Sequence, residues 1–161
     1  RNTGAPGDFM WQAIWRKARD NARVPMPWDG SKNGGFTTGE PWIMLNPDYK
    51  EINVASAMAA PDSVYWYYRR LIELRKHNLI MPYGEFKLLW PEDETLFAFE
   101  KHLDGEHWLI AGNFSDKEIT VTLPAEYKNY GTVISTMKTH GLGDGKLTLG
   151  AWEAEVISFE L

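Results

Sequence analysis

Residues 95–114 read Thr-Leu-Phe-Ala-Phe-Glu-Lys-His-Leu-Asp-Gly-Glu-His-Trp-Leu-Ile-Ala-Gly-Asn-Phe. Two β-like runs flank Asp104-Gly105, a dipeptide that tolerates the positive φ angles of a two-residue type I′ turn. The pattern predicts an antiparallel hairpin, Thr95 to Leu103 against His107 to Phe114. A period of two continues on both sides of it. Glu85 to Trp90, Glu118 to Leu123, Thr132 to Lys138, Lys146 to Leu149 and Trp152 to Leu161 all read as strands. Short polar segments separate them: Pro91-Glu92-Asp93-Glu94, Ser115-Asp116-Lys117 and Gly141 to Gly145. Short strands at this spacing indicate an antiparallel sandwich or barrel from about residue 83 to the end of the sequence.

Upstream the pattern changes. After Pro61-Asp62-Ser63, the residues Val64, Tyr67, Tyr68, Leu71 and Leu74 recur at helical spacing, predicting a helix over about 62–78. Asp62 at its start and Lys76 and His77 at its end suit the helix dipole. Before it, Pro25, Pro27, Gly30, Gly34, Gly35, Gly39, Pro41 and Pro47 exclude long helices. Trp28, Trp42 and Met44 inside this loop imply that it packs on something. Residues 9–18 fit a short helix, and Asn53 fits the cap of another over Val54 to Ala59.

Composition narrows the function classes. The sequence has 161 residues, 43% hydrophobic and 24% charged, with a net charge of −5, values typical of folded globular chains. The acidic balance argues against a nucleic-acid partner, and no apolar run approaches the ~20 residues of a membrane span. The absence of cysteine removes disulfides and thiolate chemistry and fits a cytoplasmic location. The sequence opens at Arg1 without a methionine and is read as a fragment. Its 8 Trp, 7 Tyr and 7 Phe suit either ordinary cores or sugar stacking.

Several constellations invite a chemical reading. Asp29, Ser31, Asn33, Gly34 and Glu40 match calcium-loop positions, but Pro25, Pro27 and Pro41 deny that loop its flanking helices, which leaves a glycine-rich surface loop. Gly141 to Lys146 lacks the spacing and following helix of a phosphate cradle and reads as a hairpin turn. His77, His102, His107 and His140 have no metal-ligand spacing and read as solvated, although His102 and His107 flank a turn across which they would meet. Glu92, Asp93 and Glu94 read as a solvated acidic turn. No metal or cofactor is expected. Arg19-Asp20-Asn21-Ala22-Arg23 forms a dense polar knot that fits two roles: a structural salt-bridge cluster, or guanidinium donors for carboxylates or sugar hydroxyls.

That knot and its continuation resemble the α-amylase superfamily of glycoside hydrolases. The closest likeness is to the branch of oligo-1,6-glucosidase, dextran glucosidase, trehalose-6-phosphate hydrolase and sucrose isomerases. The resemblance rests on Arg19 to Asp29, Asn33 to Trp42, Asn46 to Asn53 and the helix from Pro61 to Lys76, with Val24 where Thr is usual and Pro27 where Gln is usual. It implies an α+β chain: the C-terminal end of a (β/α)8 barrel over 1–79, comprising the loop after strand 8 and the final helix, then an antiparallel β-sandwich over 80–161. A complete barrel needs about 250 residues. The family's three catalytic carboxylates therefore lie upstream, map onto no residue here, and leave this chain alone inactive. The parent implied is a retaining, exo-acting α-glucosidase acting on α-1,6 or α-1,4 bonds of short oligosaccharides. Its partners are the α-glucoside and the upstream barrel of the same protein. The resemblance makes Arg19 a substrate-binding residue of the terminal-glucose pocket, with Asp20 and Arg23 supporting the loop. The rival reading is a free-standing carbohydrate-binding or scaffold domain. It expects two or three of Trp90, Trp108 and Trp152 to be exposed in one row, whereas the apolar runs around Trp90 and Trp108 favour burial.

Overall fold

A computed structural model describes residues 7–17, 22–137 and 141–161. Helices α1 (Gly7–Lys17), α2 (Val54–Ala59), α3 (Val64–His77) and α4 (Ile80–Tyr83) precede all the strands. The chain divides into two units, Arg1–Tyr68 and Arg69–Leu161. Asn53 caps α2 as its position implies, its side-chain oxygen accepting from the Ser56 N–H at 2.8 Å. Such a cap contributes about 1 kcal/mol. The last turn of α3 carries Arg75, Lys76 and His77, with Glu73 at 3.7 Å from Lys76 and 3.1 Å from His77. The pairs are exposed and contribute little.

The second unit is a sandwich of two antiparallel sheets. Its strands are β1 (Glu85–Leu89), β2 (Leu96–Leu103), β3 (Glu106–Asn113), β4 (Ile119–Thr122), β5 (Lys128–Ser135), β6 (Leu142–Gly143), β7 (Lys146–Leu149) and β8 (Ala154–Glu160). Five form one sheet in the order β1-β2-β3-β8-β5, and β4-β7-β6 form the other. Asp104 and Gly105 take φ angles of 50° and 87°, giving the predicted turn between β2 and β3. Asp144 and Gly145 make an equivalent turn between β6 and β7, with φ of 51° and 70°. The segment Gly141 to Gly145 is thus a hairpin as predicted, and Leu142–Gly143 add a short strand to it.

Between the sheets lie Leu96, Ala98, Leu109, Ala111, Leu147, Leu149, Ile157 and Phe159, joined by Leu123 and Tyr127. Leu109, Leu149 and Ile157 are wholly buried. Truncating such a residue to alanine costs about 2–5 kcal/mol. The other face of the larger sheet carries Trp108 and Val156, on which Ile80 of α4 packs. Strand β3 is therefore covered on both faces. Its Trp108-Leu109-Ile110-Ala111 run is apolar throughout rather than alternating for that reason.

Strand β5 departs from the expected boundaries. It starts at Lys128 rather than Thr132 and ends at Ser135, Lys138 lying outside the described residues. Its pairing with β8 slips between Lys128 and Gly131 and again between Thr132 and Ile134, and Asn129 has φ of 47°. Irregular pairing of this kind breaks the period of two on which the sequence reading depends.

Candidate functional site

Residues 22–58 of the first unit form a cross-braced loop. The N–H groups of Trp28 and Asp29 both donate to the Gly34 carbonyl, at 2.7 and 3.2 Å. One Asp29 carboxylate oxygen accepts from the Ser31 N–H at 2.8 Å and from its hydroxyl at 2.5 Å. The Ser31 hydroxyl, followed by its backbone N–H, lowers the Asp29 pKa below its ordinary value by favouring the charged form. Gly34 (φ 63°) and Gly35 (φ 66°) are required by space as well as by backbone angle. A Cβ at Gly34 would lie 2.9 Å from a Leu45 methyl, and one at Gly35 would lie 2.9 Å from the Asp29 carboxylate.

The same loop is bonded to α2. The N–H of Val54 donates to the Pro27 carbonyl at 2.9 Å, and that of Ala55 to the Trp28 carbonyl at 3.0 Å. These are unsatisfied first-turn donors that an α-helix offers to any nearby acceptor. The Asn53 amide also donates to the carbonyls of Tyr49 and Lys50, at 3.0 and 3.3 Å. The Trp66 indole N–H reaches the Met58 carbonyl at 3.0 Å. Residues quoted from separate stretches of the sequence, 27–29, 33–34 and 46–54, are thus joined by hydrogen bonds into one structure.

Of the residues singled out by sequence, Arg19 and Asp20 lie outside the described residues. Arg23 is exposed. Trp28, Trp42 and Met44, expected to be packed, are 52%, 99% and 80% exposed, so the described residues cover Trp28 only in part and leave Trp42 and Met44 largely bare. Trp42, Met44, Glu40, Asn46 and Tyr49 line an open groove of about 570 Å³. Sequence reading took this tryptophan as a sign of packing, because a lone Trp-Ile-Met run looks the same whether buried or bare.

In the second unit, Trp108 is buried at 3% exposure, Trp90 is half-buried and Trp152 is 65% exposed. Only Trp152 of the three is exposed, short of the two or three that a free-standing binding domain would present in a row. One solvated reading, that of His107, needs correction. Glu92, Asp93 and Glu94 are exposed as expected, and one Asp93 oxygen also accepts from the N–H groups of Thr95 and Leu96 and from the Thr95 hydroxyl at 2.8–2.9 Å. Those bonds, the one from Leu96 foremost, hold its pKa down. His107 is largely covered: its ring stacks on His102 at 4.5 Å between centroids, and its Nδ1 lies 3.5 Å from Glu100. Cross-strand pairing places the two histidines opposite each other, as expected. His140 lies outside the described residues. Among the described residues, no cluster of three or more His, Cys, Asp or Glu is arranged to hold a metal ion. None of the described helices is long and apolar enough to cross a membrane.

A family model described as the α-amylase catalytic domain matches residues 1–84. The chain belongs to the α-amylase family. A second model, the C-terminal domain of the α-amylase SusG, matches residues 96–156, within the sandwich. An oligo-1,6-glucosidase of Bacillus cereus is 41% identical over 154 residues, covering 94% of this chain and 27% of the relative. The crystal structure of trehalose-6-phosphate hydrolase from Bacillus licheniformis superimposes with a TM-score of 0.90 at 32% identity, over 99% of this chain and 30% of that one. The isomaltulose synthase of Protaminobacter rubrum gives a TM-score of 0.92 at 33% identity, over 99% and 29%. The chain therefore spans less than a third of the length of these relatives. The family branch and the fold class are those expected: the end of an α-amylase catalytic domain joined to an antiparallel β-sandwich.

Proposed function

We propose that this chain is the C-terminal part of a retaining, exo-acting α-glucosidase that cleaves α-1,6 or α-1,4 glucosidic bonds of short oligosaccharides. The observation that carries the reading is the catalytic-domain match over residues 1–84 in a chain spanning only 27% of the length of an oligo-1,6-glucosidase relative. The bare side chains of the first unit support it, since Trp11, Trp42, Met44 and Val64 are each at least 65% exposed. Apolar side chains left in water so densely mark a surface made to be covered, and the occupant in this reading is the upstream barrel of the same protein.

In the whole enzyme, Arg19 binds the terminal glucose through its planar guanidinium, while Asp20 and Arg23 support the loop. The catalytic portion ends near residue 79, and residues 80–161 form the accessory sandwich. The protein works in the cytoplasm. The nucleophile and the acid/base are carboxylates of the upstream barrel, so the isolated chain does not hydrolyse. Assay of p-nitrophenyl α-glucoside tests this division. The full-length protein is expected to turn over the substrate, and the purified 161-residue chain to release no nitrophenol above the uncatalysed rate. Turnover by the chain alone, or none by the whole protein, would overturn the proposal.

A further inference from the structure

The outward face of the larger sheet carries apolar side chains well beyond the area that α4 covers. Ile80 of α4 packs on Trp108 and Val156, with Leu74 of α3 and Ile110 alongside. Strand pairing sets Phe99 beside Ile110 and Leu88 beside Phe99, so these side chains share that face. Phe97 precedes Phe99 by two residues, and the rings of Phe86 and Phe97 lie 5.0 and 5.6 Å from that of Phe99. The Phe114 ring reaches back over Gly112 on the same face, 3.3 Å from where a Cβ would stand. Phe86, Leu88, Phe97 and Phe114 are each at least 45% exposed.

The smaller sheet shows the contrast. On its outward face Thr120 stands opposite Thr148, their hydroxyls 3.1 Å apart, and Thr122 stands opposite Lys146. An antiparallel face left in water is polar in this way, whereas a contiguous apolar patch marks a surface that meets a partner. The covered part of the larger sheet identifies that partner. Helix α4 lies within residues 1–84, which match the catalytic-domain model, so the end of that domain is already seated on this face through the fully buried Ile80. The half-buried Ile110 and Phe99 carry the same apolar face onward from Ile80 to the bare rings. The chain spans only 27% of the length of an oligo-1,6-glucosidase relative, which leaves most of a catalytic domain to cover them.

We infer that the outward face of the larger sheet is a docking surface for the upstream part of the catalytic domain, with Phe86, Phe97 and Phe114 buried in that contact. The inference rests on the proposal that the chain is part of a longer α-glucosidase, and it adds which sheet of the sandwich faces the catalytic domain. The test is hydroxyl-radical footprinting of the 161-residue chain and of the full-length protein, read residue by residue by mass spectrometry. The three rings are expected to oxidise readily in the chain alone and at least about fivefold more slowly in the full-length protein, as half-exposed side chains become buried. Phe97→Arg gives an energetic check. In the full-length protein its charge would be buried, and a melting temperature lower by more than about 3 °C is expected. In the chain alone residue 97 already meets water, and the shift is expected to stay within about 1 °C. Thr120→Arg, on the polar face of the smaller sheet, is expected to shift neither protein. Equal oxidation of the rings in both proteins, or a full-length Phe97→Arg that melts as wild type, would overturn the inference. So would protection that appears only at concentrations where sedimentation shows the full-length protein to dimerise, since a second copy would then be the cover. The nitrophenyl assay is indifferent to which sheet is covered, so any of these results leaves the glucosidase reading standing.

Discussion

The side-chain amide of Asn113, at the end of β3, donates to the Gly150 carbonyl at 2.7 Å, across 37 residues of sequence. The same amide reaches the Lys117 carbonyl at 2.7 Å and the Leu149 carbonyl at 3.3 Å, while its oxygen accepts from the N–H and hydroxyl of Ser115. Glu153, 1% exposed, completes the junction by accepting from the Gly150 N–H at 2.6 Å and the Ser135 hydroxyl at 2.9 Å. One buried amide thus ties the larger sheet to the end of β7 in the smaller.

Asn113→Ala removes these bonds and leaves buried carbonyls without a donor. Each orphaned buried group costs about 1–3 kcal/mol. A loss of roughly 3 kcal/mol is expected in urea unfolding of the sandwich, with the m-value unchanged. Asn113→Asp keeps the acceptor but loses the donor and is expected to be about as destabilising.

Glu155 gives a pH dependence whose sign follows from its surroundings. It is 3% exposed, one oxygen accepts from the Thr132 hydroxyl at 2.5 Å, and the other is buried without a hydrogen-bond partner. Burial foremost, with Glu153 nearby adding to it, raises its pKa above the ordinary carboxylate value, and the Thr132 bond only partly opposes this. A carboxyl with a raised folded pKa contributes most where both states are protonated. As pH rises past the ordinary carboxylate range, the unfolded chain ionises first and stability falls until the folded pKa is passed. The stability of Glu155→Gln relative to wild type should therefore increase from pH 4 toward neutrality. Urea titrations of both proteins across that range measure the difference directly. A difference that stays flat or shrinks would place the proton elsewhere.

Arg19→Lys in the whole protein tests the substrate-binding role proposed for that residue. The resemblance pairs this guanidinium with an acid from an early loop of the upstream barrel, and replacing one partner of such a buried pair leaves an uncompensated charge, at about 3–5 kcal/mol. A lysine cannot reproduce the planar fork. A loss of roughly two to three decades in kcat/KM per active site is expected. Arg23→Lys should instead lower the melting temperature more than the activity per folded molecule. If Arg19→Lys stays within about threefold of wild type, Arg19 does not bind substrate.

The β-sandwich was legible because its signals are local. Asp104-Gly105 sits between alternating runs, and the side chains of β2 face alternately into and away from the core. Strand β5 was legible only in its middle, since Asn129 and the slips against β8 destroy periodicity where pairing continues. Burial of Trp108 followed from its apolar neighbours. The exposure of Trp42 did not, because it depends on what the rest of the chain fails to cover. The role proposed for Arg19 has no local signal of its own. It rests on the resemblance of a whole segment, whereas from charge and spacing alone Arg19 and its neighbours suit a salt-bridge knot equally well. His107 was misread as solvated because its cover comes from Glu100, Phe159 and His102, only the last of which its sequence position discloses.

The most direct measurement is the anomeric form of the glucose first released by the full-length protein from isomaltose, followed by proton NMR before mutarotation. A retaining mechanism passes through a covalent glycosyl intermediate and returns the original configuration. The account predicts α-glucose first from the whole protein and no release at all from the 161-residue chain alone. Release of β-glucose first, or any release by the isolated chain, would contradict it.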